Sequence, residues 1–204
     1  MPTPREPLIP GRRYHVYNQS VGNEKLFRNN DNYCYFLELS KKYLVPYFDI
    51  LSYCLMPNHF HIVIMVKEED ELMQYLEGST SGAVDYPLFL SRKFGHLFNS
   101  YAQAYNKVYH RRGSLFKNRF YRKRINSMDY MRNVVHYVHF NPVVSGLCAK
   151  PQDWDYSSFN AFLDINKSSL VSREEVIRYF GDLENFLFVH GTLPGMLPDE
   201  GEFS

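Results

Sequence analysis

The sequence predicts an α+β fold in which an antiparallel sheet is backed by helices. The first observation is a set of short segments rich in β-branched and aromatic residues and bounded by turn residues, as strands are. The second is a set of longer segments whose apolar residues recur at helical spacing. They follow each other in the order strand, helix, two strands, helix, strand. The chain has 204 residues, 45% of them apolar, which suffices for one core with or without an appendage.

The first third of the chain predicts a strand, a helix and a hairpin. Pro46 follows the helical segment at a position where a helix must stop. Pro57 and Asn58 are turn residues between two apolar runs, so we expect those runs to pair. We predict a strand over residues 13–18, a helix over 31–44, and strands over 47–56 and 59–66.

The remaining elements complete the sheet and add helices. Ser127 is a good N-cap, and Pro142 lies beyond the expected end of the helix that it starts. The order β-α-β-β-α-β is that of the ferredoxin-like fold, here followed by an added helix and a C-terminal helical tail. The open face of the sheet then needs a further helix, a partner or a ligand to cover it. We predict a mobile loop over residues 67–86, a helix over 88–109, a strand over 116–125, a helix from Ser127 to about His139, and one short helix over 172–181.

Charge divides the chain into a basic body and an acidic end. Residues 151–204 hold 10 acids and 3 bases, a net charge of −7. Residues 1–150 therefore hold 20 bases (23 less 3) and 12 acids (22 less 10), a net charge of +8. We predict a main domain over 1–150 and an acidic extension over 151–204 packed on the same domain. A basic body favours a polyanionic partner.

Membrane and secreted classes are not expected. The sequence contains no run of 18 apolar residues and no apolar segment near Met1, which predicts neither a membrane span nor a signal peptide. Cys34, Cys54 and Cys148 are odd in number and lack zinc-site spacing, so we expect reduced thiols in the cytoplasm.

Residues 107–125 form the most basic segment, with eight Lys or Arg and no acid. A charge run alone is usually a solvated face, but aromatic residues interleave with this one, which favours nucleic acid. Phe116, Phe120 and Tyr121 are candidates for stacking on bases, although alternate residues of a strand must face the core. The candidate DNA-binding residues are Arg12, Arg13, Arg111, Arg112, Lys117, Arg119, Arg122, Lys123 and Arg124.

The strongest local signal is a pair of histidines, His59 and His61, on the third predicted strand. Alternate side chains of a strand share a face, so both imidazoles point one way while Phe60 and Ile62 point into the core. Their backbones lie about 6.6 Å apart by strand rise, close enough to bind one ion. The spacing alone leaves metal or catalytic use and a structural role equally open.

Tyr137 and Asn141 are four residues apart, one helical turn, and so share a helix face. A phenol and an amide oxygen then project together. From the residues alone the structural explanation is favoured, because Tyr137 fits a helical core stripe and Asn141 precedes Pro142.

Five motifs, in order, resemble the REP-associated tyrosine transposases, which are single-tyrosine HUH transposases. The resemblance covers roughly residues 8–190, and it reverses the structural explanation of Tyr137. The motifs are YHV at 14–16, CLMPNHFH at 54–61, GSLF at 113–116 followed by RF at 119–120, YVHFNPVVSGL at 137–147 and WDYSS at 154–158.

The resemblance implies roles for four residues. Tyr137 would be the nucleophile, and His59, His61 and Asn141 would hold Mg²⁺ or Mn²⁺. The substrate would be hairpin-containing single-stranded DNA, cleaved and rejoined through a 5′-phosphotyrosine intermediate. The protein would be a monomer or a homodimer in the cytoplasm, on the nucleoid when bound to DNA. The region 67–86 is longer than in the family, and His136 or His139 are candidates for assisting proton transfer.

Two other functions stay open at this point. One is a binding module for single-stranded DNA or RNA, derived from a transposase, that does not cut. The other is a two-histidine phosphodiesterase that uses water as its nucleophile and leaves Tyr137 structural. The presence of His59, His61, Tyr137 and Asn141 together favours the enzyme.

Overall fold

The computed structural model describes residues 6–76, 84–117, 120–164, 166 and 168–193. The chain forms an antiparallel sheet with helices on both faces. The strands are β1 (Arg13–Gln19), β2 (Phe48–Met56), β3 (His59–Val66) and β4 (Tyr121–Ile125); the helices are α1 (Asn30–Tyr43), α2 (Glu69–Met73), α3 (Tyr86–Val108), α4 (Met128–Val144), α5 (Asn160–Leu163), α6 (Arg173–Phe180) and α7 (Leu183–Val189).

The strand order confirms the predicted ferredoxin-like sheet. The sheet has four strands in the order β2-β3-β1-β4, and each neighbouring pair is antiparallel. The two central strands are β1 and β3, as the ferredoxin-like element order requires.

Side-chain alternation assigns each sheet face to different helices. Phe60 of β3 packs on Phe36 of α1 and Phe98 of α3, with ring centroids 5.2 and 5.6 Å apart. The opposite face of β2 and β3 is covered by α4. Of the three coverings that the sequence left open for this face, a further helix is the one that the structure has.

The end of α4 differs from the sequence prediction. Ser127 caps the helix as expected, since its hydroxyl accepts a hydrogen bond from the backbone N–H of Tyr130 at 3.1 Å. The helix does not stop near His139 but runs through Pro142 to Val144. Proline lacks a donor for one internal hydrogen bond only, and the turn after it is closed by the N–H of Ser145 donating to the carbonyl of Asn141 at 3.0 Å.

Three further boundaries also differ. The fourth strand begins at Tyr121 rather than at 116, because Phe116 makes only an isolated bridge to Ser20. The loop predicted over 67–86 contains the short helix α2, which Glu68 and Glu71 stabilise through a capping box. Residues 77–83 of that loop lie outside the described residues.

The acidic end holds more helix than the one predicted. That helix is found as α6, and α5 and α7 flank it. Residues 154–158 attach this region to β2: the indole N–H of Trp154 donates to the carbonyl of Leu55 at 3.1 Å, and Ser157 bridges Cys54. Among the helices of the described residues, none has the length and apolar character needed to cross a membrane.

Candidate active site

Alternation along β3 places His59 and His61 on the face that α4 covers. Their ring centroids are 5.1 Å apart and their planes are nearly perpendicular, at 86°. His61 is 1% exposed, whereas His59 is only partly buried. The sequence prediction that both imidazoles share a face is thus met by the geometry, and His59 is the member of the pair nearer to solvent.

Helix α4 brings Tyr137 and Asn141 to the same place. The Tyr137 ring meets the His61 ring edge-on, with centroids 5.5 Å apart. The Oδ1 atom of Asn141 lies 3.2 Å from Nε2 of His59. The four residues picked from two distant segments therefore form one cluster between β3 and α4.

The contacts of His59 suit a metal ligand. Its Nδ1 lies 2.8 Å from Oδ1 of Asn58. A neutral imidazole has one N–H; when Asn58 accepts it, Nε2 presents a lone pair beside the Asn141 oxygen. Adjacent ligands of an octahedral ion with bonds near 2.1 Å lie about 3 Å apart, so the 3.2 Å between these two atoms fits a shared cation.

His15 is a neighbour that the sequence reasoning quoted in a motif but gave no role. Its Nε2 lies 2.9 Å from Nδ1 of His61, and it is 6% exposed. When His15 accepts the proton of His61 Nδ1, the Nε2 atom of His61 is the one left to bind an ion. The available signal was alternation, since His15 and Tyr17 of β1 point to the same face as His61.

Burial keeps these histidines neutral, which is the form that binds metals. It lowers the pKa of His61 well below its usual value, and the neighbouring His15 and His59 lower it further. Burial also lowers the pKa of His59, although the contact with Asn141 opposes the shift. The pKa of His15 is lowered by burial to about 3, with a further contribution from Lys123.

The donor set would be two imidazoles and one amide oxygen: the oxygen suits a hard ion such as Mg²⁺ or Mn²⁺, and the imidazoles favour Mn²⁺ over Mg²⁺. Among the described residues, no group of three or more histidine, cysteine or acidic side chains is arranged to hold a metal ion. A metal centre between β3 and α4 would therefore need Asn141 as its third protein ligand.

Of the predicted DNA-binding residues that the structure describes, Arg12, Arg13 and Arg124 line one pocket together. Arg111 donates to Glu24 at 2.9 Å and to the carbonyl of Ser114, so it holds local structure. Arg13 donates to the hydroxyl of Tyr179 at 2.5 Å. Arg12, Arg112 and Lys117 are exposed, and Arg119 lies outside the described residues.

Strand alternation divides the three basic residues of β4. Arg122 points away from α4, where it donates to the carbonyl of Glu6 and to the hydroxyl of Ser91. Arg124 alternates with it on that side, next to Tyr14 in the strand register. Lys123 alone of the three shares the α4 face with His15.

The fold and the cluster define a class of protein: a ferredoxin-like sheet whose central strand carries two histidines opposite a helix with a tyrosine and an amide. No family model matches the chain. A curated protein of Haemophilus influenzae, named "Putative REP-associated tyrosine transposase", is 24% identical over 118 residues, which is 55% of this chain and 60% of that protein. The chain thus spans less than two thirds of this relative.

A solved structure has the same fold. It is a REP-associated tyrosine transposase bound to a REP hairpin, with a TM-score of 0.59 and 18% identity, over 86% of this chain and 93% of that one. The resemblance to REP-associated tyrosine transposases that the motifs indicated is confirmed in sequence and in fold.

Proposed function

We propose that this chain is a metal-dependent transposase that cleaves and rejoins hairpin-containing single-stranded DNA through a covalent 5′-phosphotyrosine at Tyr137. The observation that carries the proposal is the meeting of two distant segments: Asn141 Oδ1 lies 3.2 Å from His59 Nε2, and the Tyr137 ring lies 5.5 Å from that of His61. The relatives support the substrate, since one is named a transposase and the other is described with a bound hairpin.

The three ligand residues His59, His61 and Asn141 would hold the ion beside the phenol. A divalent ion bound there supplies a positive charge that polarises a phosphodiester and stabilises the charge that builds up on its oxygens. Neighbouring protein residues position the ligands. Asn58 and His15 orient the two imidazoles through contacts of 2.8 and 2.9 Å.

Tyr137 performs the covalent step. Its phenol gives up its proton and the phenol oxygen forms a bond to phosphorus, while the bond from phosphorus to the 3′-oxygen breaks. That oxygen takes up a proton and leaves as a 3′-hydroxyl, so the step neither gains nor loses a proton overall. A free phenol has a pKa of about 10, so it is mostly protonated at neutral pH and gains reactivity from a nearby cation. Because the phosphoester energy is kept, a second 3′-hydroxyl can reverse the step and join strands without ATP.

The test is a search for the covalent adduct. The protein is incubated with hairpin-bearing single-stranded DNA and Mn²⁺, and products are separated on denaturing gels. DNA labelled at its 3′ end should migrate with the protein, whereas a 5′ label should leave with the released fragment. Tyr137→Phe should lower adduct formation by roughly a thousandfold or more, and a chelator should abolish it.

The matched control is Tyr130→Phe, two turns earlier on α4, which should form the adduct normally. Cleavage without an adduct would overturn the tyrosine mechanism in favour of water as the nucleophile. DNA binding without cleavage would make the chain a binding module.

A further inference from the structure

A row of side chains leads from His61 to the outer edge of the sheet. In the strand register, Tyr17 of β1 stands opposite His61 of β3, and Tyr121 of β4 stands opposite Tyr17. Neighbouring strands lie about 4.8 Å apart, so Tyr121 is about 10 Å from His61 across the sheet. All three side chains point to the α4 face.

The rings of this row contact each other. Tyr17 and Tyr121 are stacked, with centroids 5.2 Å apart and planes within 7° of parallel. The Tyr17 ring lies 5.9 Å from that of His61. Exposure rises along the row from 1% at His61 to 40% at Tyr121, so the outermost ring is held in place by its neighbour and still faces solvent.

A cation lies beside the exposed ring. Lys123 is two residues after Tyr121 and therefore on the same face of β4. Its ammonium lies 5.5 Å from the ring centroid of Tyr130 on α4. Lys123 thus stands between the outer strand and the helix that carries Tyr137.

We propose that Tyr121 and Lys123 form a subsite for an unpaired nucleotide adjacent to the phosphate that is cleaved, with the base on the Tyr121 ring and its phosphate at Lys123. This rests on the proposed function, because it places the scissile phosphate at His59 and His61. An aromatic platform with a neighbouring cation is how proteins grip single strands without reading their sequence.

The other candidates for stacking are not available for this role. Phe116 is 6% exposed, and Phe120 stacks on Phe94 with centroids 4.9 Å apart. Both belong to the core on the α3 side. Of the three aromatic residues that the sequence offered for base stacking, Tyr121 is the one on the site face.

The test uses Tyr137→Phe protein without metal, so that binding is measured apart from cleavage. Fluorescence anisotropy gives Kd for a hairpin with a single-stranded extension and for the same hairpin with blunt ends. Tyr121→Ala should weaken binding of the extended hairpin by about tenfold or more and leave the blunt one unchanged. Tyr121→Trp should restore binding. Lys123→Ala should reduce the salt dependence of binding by about one ion.

The control variants are Tyr35→Ala and Lys41→Ala on α1, which are exposed on the other side of the sheet and should bind both DNAs as the parent does. Equal binding of the extended hairpin by Tyr121→Ala, or an equal loss on both DNAs, would overturn the subsite. The proposed function has its own readout, the covalent adduct formed by protein with Tyr137 intact. If the adduct forms but Tyr121→Ala does not weaken binding of the extended hairpin, only the subsite is rejected. If Tyr121→Ala weakens binding of the extended hairpin but no adduct forms, the subsite is supported and the covalent mechanism is rejected.

Discussion

Helix α4 separates two histidine clusters that look alike in composition and differ in surroundings. The sheet-side cluster is His15, His59 and His61; the tail-side cluster is His136, His139 and His190. Each contains a buried ring-to-ring contact of 2.9 Å, between His15 and His61 in one and between His139 and His190 in the other. Counting histidines therefore does not tell which cluster performs chemistry.

The ring nitrogens of the tail-side cluster make contacts that hold the fold together. His139 Nε2 lies 2.8 Å from the hydroxyl of Ser158, and His136 Nε2 lies 2.8 Å from the carbonyl of Thr192. His190 stacks on Phe186 with centroids 4.0 Å apart. The contacts with Thr192 and His190 attach the end of α7 to α4. His139, which the sequence offered for proton transfer, is two residues after Tyr137 and so lies about 200° around the helix from it, on the opposite side of α4. His136, the other candidate, lies about 100° from Tyr137.

The sheet-side cluster faces groups that can take part in a reaction. Its neighbours are a phenol, Tyr137, and an amide oxygen from Asn141. His59 is only partly buried, which leaves a path from solvent. A candidate site is therefore recognised by what its histidines face and by their access to solvent, rather than by their number.

The largest expected contrast is in metal-dependent cleavage. His61→Ala should lower cleavage by about a hundredfold or more, because it removes a proposed ligand of the ion that would stabilise the developing charge. His139→Ala, which removes an equally buried histidine, should leave the rate per folded molecule unchanged. Cleavage rates and Mn²⁺ binding by calorimetry, with folding checked by circular dichroism, measure both. Equal losses in the two variants would contradict the assignment; His59→Ala, at a less buried position, repeats the test with less risk to the fold.

The free energy of unfolding should depend more on His139 of the tail-side cluster than on His59 of the sheet-side cluster. His139 is 0% exposed and has hydrogen-bonding partners at both nitrogens, so His139→Ala should lower the free energy of unfolding by about 2–4 kcal/mol. His59→Ala should cost about 1 kcal/mol or less, since that ring is partly exposed. Urea denaturation of both variants measures these changes. A larger loss of unfolding free energy for His59→Ala would mean that the sheet-side cluster is the structural one.

His15 should act through His61 rather than on DNA. His15→Phe keeps a ring but loses the nitrogen that fixes the proton of His61, so Kd for Mn²⁺ should rise by about 10- to 100-fold. His96→Phe, on the exposed face of α3, is the matched control and should not change Kd. Calorimetry with the metal alone checks this, and an unchanged Kd for His15→Phe would remove His15 from the site.

The smallest effect concerns pH and the tail-side cluster. Burial lowers the pKa of His190 from its ordinary 6.5 to about 3. The unfolded chain therefore takes up a proton first as pH falls, so stability is complete above about pH 6.5 and declines toward pH 3. Between pH 7 and pH 6 the loss is about 0.7 kcal/mol for each such histidine. Urea denaturation at both pH values measures it, and His190→Phe should reduce the decline; an unchanged decline would contradict this.

The sequence predicted most of the fold because its signals are local. Alternation and helical spacing located all four strands and the two helices of the ferredoxin-like core, and placed His59 and His61 on one face. The predicted end of α4 near His139 is wrong. Pro142 indicates a helix end by local rules, but the helix continues through it to Val144. Tertiary context here overrides the local tendency of proline to end a helix.

The parts of the site that sequence reasoning missed are non-local. His15 gains its meaning from the pairing of β1 with β3, which joins residues 46 positions apart. Tyr17 and Tyr121 form a stacked pair only because β1 and β4 are neighbours in that register. The roles of Tyr137 and Asn141 came from the resemblance, since spacing on one helix says nothing about which strand it faces.

Alternation along β3 also ties the proposed site to the pairing of strands in the sheet. A slip of β3 by one position against its neighbours would turn His59 and His61 toward α1 and α3 and bring Phe60 under α4. Every residue of the motif would still be encoded. The proposed site therefore depends on the register of β3 in the sheet as well as on the identity of its residues.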